Sequence, residues 1–239
     1  MRRAPSSRMA DHPATVQAPA GPVYRIGRSP DPFAPPHWMY AQSDGTFGGR
    51  FDDPCGRRGV PPNRRFRVLY FATEPAGAFA EVLAHFRPDL TVLAALGSSA
   101  KSVAAVPAAW RIVRRLGVAG IDVQGSFVDI GDAKTLKLFR RILAPTALAL
   151  GLPDLDLSAF SGPARLLTQE AARFVYEQRD RGGAPLYAGI RYTSRLHRTW
   201  ECWAVFSDRL RLTAARVEFI AANDPGLLQA ASVLGLKVS

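Results

Sequence analysis

Runs of apolar residues divide the chain into predicted strands and helices. Residues 68–72 are consecutive apolar and aromatic side chains, which is typical of a buried strand. Pro75 is favoured in the first turn of a helix, and good helix formers follow it. The stretch 67–83 therefore predicts a strand, a sharp turn at Glu74 and Pro75, and a helix that carries Glu81 in its second turn.

Other elements follow from strand composition and from helix-capping signals. Segments rich in β-branched and aromatic side chains predict five further strands, at 23–28, 125–130, 186–192, 202–206 and 210–219. Alternating apolar and basic residues at 110–116 also resemble a strand. Asp132 is expected to cap a helix over residues 133–143, and a second helix is expected over 163–179, before two glycines. Residues 88–107 contain a Gly-Ser-Ser segment and predict a loop with a short helix.

The amino-terminal residues lack any apolar periodicity. Residues 1–21 are rich in Ala, Pro, Ser and Arg, and this composition predicts a disordered leader. The Arg-rich, acid-poor composition of the same residues also resembles an organellar transit peptide, which stays open as an alternative.

Composition limits the classes of protein to consider. The chain has 239 residues and 47% apolar content, which suits one large globular domain or two small ones. The formal net charge is +11, and 27 of the 31 basic residues are Arg. Such a charge indicates a nucleic-acid or acidic-membrane partner, or it reflects the amino-acid usage of a GC-rich genome without functional meaning.

Metal chemistry and membrane insertion are not indicated by the sequence. Cys55 and Cys202 are the two cysteines, the four histidines are scattered, and no CxxC or HExxH motif occurs, so we predict no metal site. Two thiols without a secretory signal favour a reducing, cytoplasmic location. The longest apolar run, 142–152, is interrupted by Pro145 and is too short to cross a bilayer, so a membrane protein is not expected.

Two segments place polar side chains where they could form a site. Gly48 and Gly49 allow the backbone to approach a ligand closely, so Arg50 could be presented to an anion. A hairpin turn with a solvated Arg50 is the alternative. Tyr70 and Glu81 lie within otherwise apolar segments, and a carboxylate in such a position is either solvated at the surface or held in a cleft.

Ser194 is a third candidate, because His197 follows it closely in the sequence. The chain has no GxSxG motif, and the sequence identifies neither the base nor the orienting acid of a hydrolase triad. Taken alone, Ser194 is expected to bond backbone groups at a strand end.

In combination, these segments resemble the RES domain family, which is named for a recurring Arg, Glu and Ser. The matching segments are Tyr24-Arg25, Gly48-Gly49-Arg50 with Asp53-Pro54, Leu69-Tyr70-Phe71-Ala72 with Glu81, Thr168-Gln169 and Gly189-Ile190-Arg191-Tyr192-Thr193-Ser194. The sequence departs from the family pattern at Phe51-Asp52, where relatives have Trp-Asn, and at Ile26, where some relatives have Tyr.

The resemblance implies an α+β, ADP-ribosyltransferase-like fold in which two small, mainly antiparallel sheets form a cleft flanked by helices. Residues 22–220 would form this catalytic domain, and residues 221–239 a carboxy-terminal extension. The implied substrate is NAD, without a prosthetic group, and the implied reaction cleaves the nicotinamide–ribose N-glycosidic bond by hydrolysis or phosphorolysis. Many such proteins are toxins of toxin–antitoxin pairs. A protein ADP-ribosyltransferase of the same fold is the alternative within the family.

The resemblance also implies roles for individual residues. The implied catalytic residues are Glu81, Ser194 and Tyr70, and the implied NAD-binding residues are Arg25, Arg50, Tyr70 and Gly49. Arginine forks suit a pyrophosphate, and a carboxylate suits the positive charge that develops on the ribose. Ser194 would donate a hydrogen bond to the ribose or to Glu81. The turn before the helix should place Glu81 in the same cavity as Tyr70.

The implied partners are NAD and an antitoxin protein. A homo-oligomer, in which the chain binds further copies of itself, is also considered. The competing hypothesis is a basic nucleic-acid-binding protein without catalysis, based on the charge and on arginine pairs such as Arg57-Arg58. These pairs are scattered, and no helix-turn-helix, zinc-finger or ribonucleoprotein motif occurs, so nucleic acid is not expected as a partner. The basic surface could instead bind an acidic antitoxin.

Overall fold

The computed structural model describes residues 12–96 and 104–239. Within those residues the α-helices are α1 (Pro75–Leu83), α2 (Leu90–Leu96), α3 (Ala108–Ile112), α4 (Ala133–Ile142), α5 (Ala144–Ala149), α6 (Leu157–Ser161), α7 (Arg165–Glu177) and α8 (Pro225–Leu234). The strands are β1 (Thr15–Val16), β2 (Val23–Arg28), β3 (Val68–Ala72), β4 (Ala105–Val106), β5 (Arg114–Val123), β6 (Ser126–Asp129), β7 (Tyr187–Thr193), β8 (Glu201–Phe206), β9 (Leu210–Phe219) and β10 (Lys237–Val238).

Eight of these strands form one mixed sheet. Their order is β1-β6-β7-β8-β3-β2-β5-β9, and β4 and β10 form a separate parallel pair. Neighbours in the large sheet are antiparallel except β6 and β7. The predicted α+β class with mainly antiparallel strands is therefore confirmed.

The large sheet is narrowest where β2 meets β3. Strand β2 pairs with β5 over six residues, whereas its pairing with β3 consists of Tyr24 opposite Ala72. Two separate small sheets were expected, and this detail is corrected, because the two groups of strands are continuous at that point. Beyond that pair β2 and β3 are no longer paired, and residues of both strands line one cavity.

Strand β3 is an unbroken apolar run because both of its faces are buried. Leu69 and Phe71 pack on one side of the sheet, in a small apolar cluster with β8. Val68 and Ala72 face the larger core on the other side, together with Phe79 of α1, which is 0% exposed. Complete burial of one such large side chain contributes about 1.5–3 kcal/mol to stability.

Most predicted elements are found. The strand, turn and helix predicted for residues 67–83 are confirmed as β3 and α1. The five other predicted strands correspond to β2, β6, β7, β8 and β9, and the two predicted helices to α4 and α7. Asp132 caps α4 as predicted, since its carboxylate accepts a hydrogen bond from the Lys134 amide at 2.7 Å.

The prediction of a strand at residues 110–116 is partly wrong. Helix α3 continues to Ile112, and β5 begins at Arg114. The helical turn directs Trp110 into the core, where its ring meets Phe86 edge to face at 6.3 Å. Tertiary packing therefore overrides the alternating pattern.

The loop predicted for residues 88–107 includes helix α2 and strand β4. Its Gly-Ser-Ser segment lies among residues 97–103, outside the described part of the chain. At the amino terminus, Thr15 and Val16 pair with β6, so these two residues of the expected disordered leader form a strand. Residues 1–11 lie outside the described part as well.

The carboxy-terminal residues pack into the same core as the rest of the chain. Helix α8 lies against α1, and a Cβ added to Gly226 would come within 2.7 Å of the Pro75 Cβ. The two backbones therefore approach closely, and glycine is needed at that contact. Residues 221–239, expected as an extension, thus complete the packing around α1.

Candidate active site

Two cavities share one wall, and one of them is lined by residues of both β2 and β3. The Tyr70 cavity, of about 320 Å³, is lined among others by Arg25, Ile26, Tyr70, Ala78 and Arg165. The His197 cavity, of about 350 Å³, is lined among others by Ile130, Phe160, Ser194, His197 and Arg198. The shared wall consists of Arg50, Glu81, Tyr192, Arg195 and Leu196.

Glu81 lies on α1 with an exposed side chain and borders both cavities. The hydroxyl of Ser194, which is 4% exposed, donates a hydrogen bond to Glu81 Oε1 at 2.6 Å. The same hydroxyl accepts from the Leu196 amide at 3.1 Å, which fixes its direction. His197 is hydrogen-bonded to Thr199 instead of Ser194. Ser194 is therefore arranged to orient a carboxylate.

Tyr70 and Glu81 line the same cavity, as the strand-turn-helix spacing predicts. The Tyr70 hydroxyl donates to Asp52 Oδ1 at 2.9 Å and accepts from the Phe51 amide at 2.9 Å. Burial, reinforced by the neighbouring Asp52 carboxylate, raises the pKa of Tyr70 well above its usual value. Tyr70 thus remains a neutral phenol whose hydroxyl is held by the protein, in a residue that lines the cavity.

Gly49 lies where a side chain would collide with this hydrogen-bonded pair. An added Cβ would meet the Asp52 carboxylate and lie 2.7 Å from the Tyr70 hydroxyl oxygen. The Gly49 amide donates to Asp52 Oδ2 at 2.6 Å, and its carbonyl accepts from the Gln169 side chain at 2.9 Å. Burial raises the pKa of Asp52, although the bonds from Tyr70 and Gly49 oppose that change. Both backbone polar groups of Gly49 are therefore bonded within the protein.

Arg50 borders both cavities, but its guanidinium group is bonded to backbone carbonyls. Its Nη1 donates to the carbonyl oxygens of Phe160 and, at 3.2 Å, of Gly162, and its Nη2 donates to that of Ser161 at 3.2 Å. These carbonyls lie at the end of α6, where a helix leaves acceptors unpaired. Burial, and then the charge of nearby Arg165, lower the pKa of Arg50. Neither an open anion-binding loop nor a solvated hairpin arginine describes this arrangement.

Arg25 lies where β2 and β3 separate. Its Nε donates to the Pro32 carbonyl at 2.7 Å and its Nη1 to the Tyr70 carbonyl at 3.2 Å. The guanidinium group thus bonds a β3 carbonyl at the point of divergence. Burial lowers its pKa to about 10, so the group stays cationic at neutral pH.

Three further residues border the cavities without having been singled out from the sequence. Tyr192 of β7 is 8% exposed, and its ring packs on Phe51 at 5.1 Å between centroids. Arg165 is the first residue of α7, and Arg195 directly follows Ser194. Proximity to Ser194 could have identified Tyr192 and Arg195. Arg165 had no local signal, since tertiary packing alone brings it to Tyr70.

The described residues show neither a metal-binding cluster nor a membrane-spanning helix. Among residues 12–96 and 104–239, no cluster of three or more His, Cys, Asp or Glu side chains is placed to hold a metal ion. Across these two ranges, no helix has the length and apolar character needed to cross a bilayer.

The chain is similar to a known protein family and to a solved structure. The RES domain family model matches residues 22–223. No curated protein matches the chain. The solved structure is the M. tuberculosis MbcT–MbcA toxin–antitoxin complex, with 14% identity and a TM-score of 0.41 over 85% of this chain and 86% of that chain.

Proposed function

Since the chain belongs to the RES domain family, we propose that it is an NAD-consuming enzyme and the toxin of a toxin–antitoxin pair. The proposed reaction breaks the nicotinamide–ribose N-glycosidic bond, with water or phosphate as the acceptor. The observation that carries this proposal is Glu81, the one carboxylate among the described residues lining the two cavities. Arginines surround it in both cavities.

The charges of the cavities suit NAD as a ligand. NAD presents an anionic pyrophosphate, and arginine recognises phosphate oxygens through a planar fork of donors. Arg25, Arg165 and Arg195 line the Tyr70 cavity, and the ring of Tyr70 offers a face for an aromatic or ribose group. A dinucleotide could therefore place its anionic centre among arginines and its reacting ribose beside Glu81.

The carboxylate of Glu81 supplies the charge that bond cleavage requires. The C–N bond breaks with both electrons passing to nicotinamide, which leaves neutral, and positive charge develops on the ribose. A fixed carboxylate stabilises that charge more than it stabilises bound NAD. The acceptor oxygen then bonds the anomeric carbon, and water would release its proton to solvent.

Ser194 is proposed as a positioning residue for Glu81. Its hydroxyl is almost fully buried and donates to Oε1, so it limits rotation of the carboxylate. A side chain that is already fixed by a hydrogen bond loses less conformational entropy when the transition state forms, which favours catalysis. No nucleophilic role for Ser194 is needed in this scheme.

The arginine pair that motivated the nucleic-acid hypothesis is engaged elsewhere in the fold. Arg57 forms an ion pair with Asp44 at 2.9 Å, and Arg58 forms one with Glu170. Cations neutralised in this way contribute less to phosphate-backbone binding than free cations do. This supports the enzyme proposal over nucleic-acid binding.

The test is to incubate the purified protein with NAD, with and without phosphate, and to identify the products. We expect nicotinamide release by the wild type, and a loss of about 100-fold to 1,000-fold in Glu81→Gln. Glu74→Gln is the matched control, because Glu74 is exposed, lies in the same strand-turn-helix and makes no side-chain cap. Full turnover by a folded Glu81→Gln variant would overturn the proposal.

A further inference from the structure

One guanidinium nitrogen beside the Tyr70 cavity is buried without a partner. Among the described residues, six buried side-chain nitrogens lack a hydrogen-bond partner, and the Nη1 of Arg165 is one of them. Arg165 lines the Tyr70 cavity, whereas the other five nitrogens belong to residues that line neither cavity. A buried, unsatisfied charged donor is costly unless a ligand or water completes its bonding.

The neighbouring arginines differ from Arg165 in this respect. Arg50 donates to three carbonyls at the end of α6, and Arg25 donates to the Pro32 and Tyr70 carbonyls. Both therefore have protein acceptors in the absence of a ligand. The Nη1 of Arg165, by contrast, has no acceptor among the described residues, and an anion in the adjoining cavity would supply one.

The carboxylates near this cluster do not replace an anionic ligand. Asp52 feels the charge of Arg165, yet its two oxygens accept bonds from the Tyr70 hydroxyl and the Gly49 amide. Glu81 accepts from Ser194 on the wall shared with the His197 cavity. Cationic groups thus outnumber carboxylates around the cavity, and like charges in a confined space favour the binding of an anion.

We propose that the Tyr70 cavity contains a phosphate-binding subsite in which Arg165 is a direct ligand of the anion. Its identification with the pyrophosphate of a dinucleotide rests on the proposed function. Arg195, exposed on the shared wall, is the second cation available to the anion. Arg50 is a positioning residue in this arrangement, because its fork holds α6. The anion thus lies on the Tyr70 side of Glu81, since Arg165 does not line the His197 cavity.

The experiment measures binding of NAD and of inorganic pyrophosphate by calorimetry, in a Glu81→Gln background in which turnover is slow. We expect Arg165→Met to weaken both ligands by about 10-fold to 100-fold, since it removes a charge-assisted hydrogen bond. Arg165→Lys keeps the charge without the fork and should bind with intermediate affinity. Arg181→Met, at an exposed turn, is the matched control and should bind as the parent does.

The outcomes separate this subsite from the proposed function. Pyrophosphate binding that depends on Arg165, without any NAD binding, would support the subsite and contradict NAD as substrate. NAD binding that is unchanged in Arg165→Met would overturn the subsite and leave the proposed function standing. Thermal unfolding of each variant is measured alongside, and Arg165→Lys decides the question if Arg165→Met fails to fold.

Discussion

Two loops border the candidate active site, and they differ in how they use their polar groups. The Arg50 loop, residues 47–54, bonds its functional groups to the protein through Gly49, Arg50 and Asp52. The Ser194 loop, residues 194–200, closes on itself through a bond from the Ser194 amide to the Trp200 carbonyl at 2.8 Å. The bonds of Gly49, Arg50 and Asp52 therefore anchor the Arg50 loop to β3, α6 and α7.

The Ser194 loop leaves two cations uncommitted. Neither Arg195 nor Arg198 has a hydrogen bond or ion pair with any residue of the described ranges, and both are exposed. A side chain without protein partners can meet a ligand without first breaking a bond. The contrast indicates that the Arg50 loop is fixed as a wall of the cavities, whereas the cations of the Ser194 loop remain available to a ligand.

The largest effect is expected from Gly49→Ala. The added Cβ would meet the Asp52 carboxylate and the Tyr70 hydroxyl, so the loop must move away from β3. Such overpacking costs about 1–3 kcal/mol, and we place this variant at the upper end because two hydrogen bonds are disturbed as well. Denaturant unfolding measures the change.

Gly131→Ala is the control for that substitution, since it borders the His197 cavity and its added Cβ would meet an Asp129 oxygen at 3.4 Å, an ordinary contact. Its expected change is within about 0.5 kcal/mol. Equal stability of the two alanine variants would show that the Arg50 loop is not the rigid wall described above.

Arg50→Met should have the next largest effect, of about 1–3 kcal/mol on the free energy of unfolding. The substitution leaves the carbonyls of Phe160, Ser161 and Gly162 without their donor, in a partly buried region. Arg198→Met removes an equal charge from an exposed position and should change stability by less than about 0.5 kcal/mol. An Arg50→Met protein as stable as Arg198→Met would contradict a structural role for the Arg50 fork.

Sequence reasoning predicted the local part of this site and missed the long-range part. The apolar run of β3, Pro75 and the helix formers after it predicted the strand, the turn and the helix. The family resemblance added the expectation that Tyr70 and Glu81 share one cavity, which they line together. The acceptor of Arg50 at Phe160 lies 110 residues away along the chain. No local sequence pattern predicts such a contact. From the sequence alone, the guanidinium group of Arg50 could therefore bind an anion or the carbonyls at a helix end.

The other differences between prediction and structure also arise from contacts between distant parts of the chain. The short pairing between β2 and β3 depends on where two strands that are distant in sequence stop pairing. The family resemblance had implied two separate sheets at this point. Arg165 begins a correctly predicted helix, but its place beside Tyr70 depends on how α7 packs. The sequence thus identified which side chains could form a site. Which acceptors their hydrogen-bond donors bind was determined by tertiary structure.

Arg195→Met is expected to have the smallest effect on stability. It is also the most direct test of the difference between the Arg50 loop and the Ser194 loop. Because the side chain is exposed and has no partner among the described residues, the free energy of unfolding should change by less than about 0.5 kcal/mol. Affinity for NAD should fall about fivefold, since an exposed ion pair contributes about 1 kcal/mol or less. The loss should shrink as salt is added, because exposed charges are screened. A destabilised variant with unchanged NAD affinity would reverse the roles assigned to the two loops.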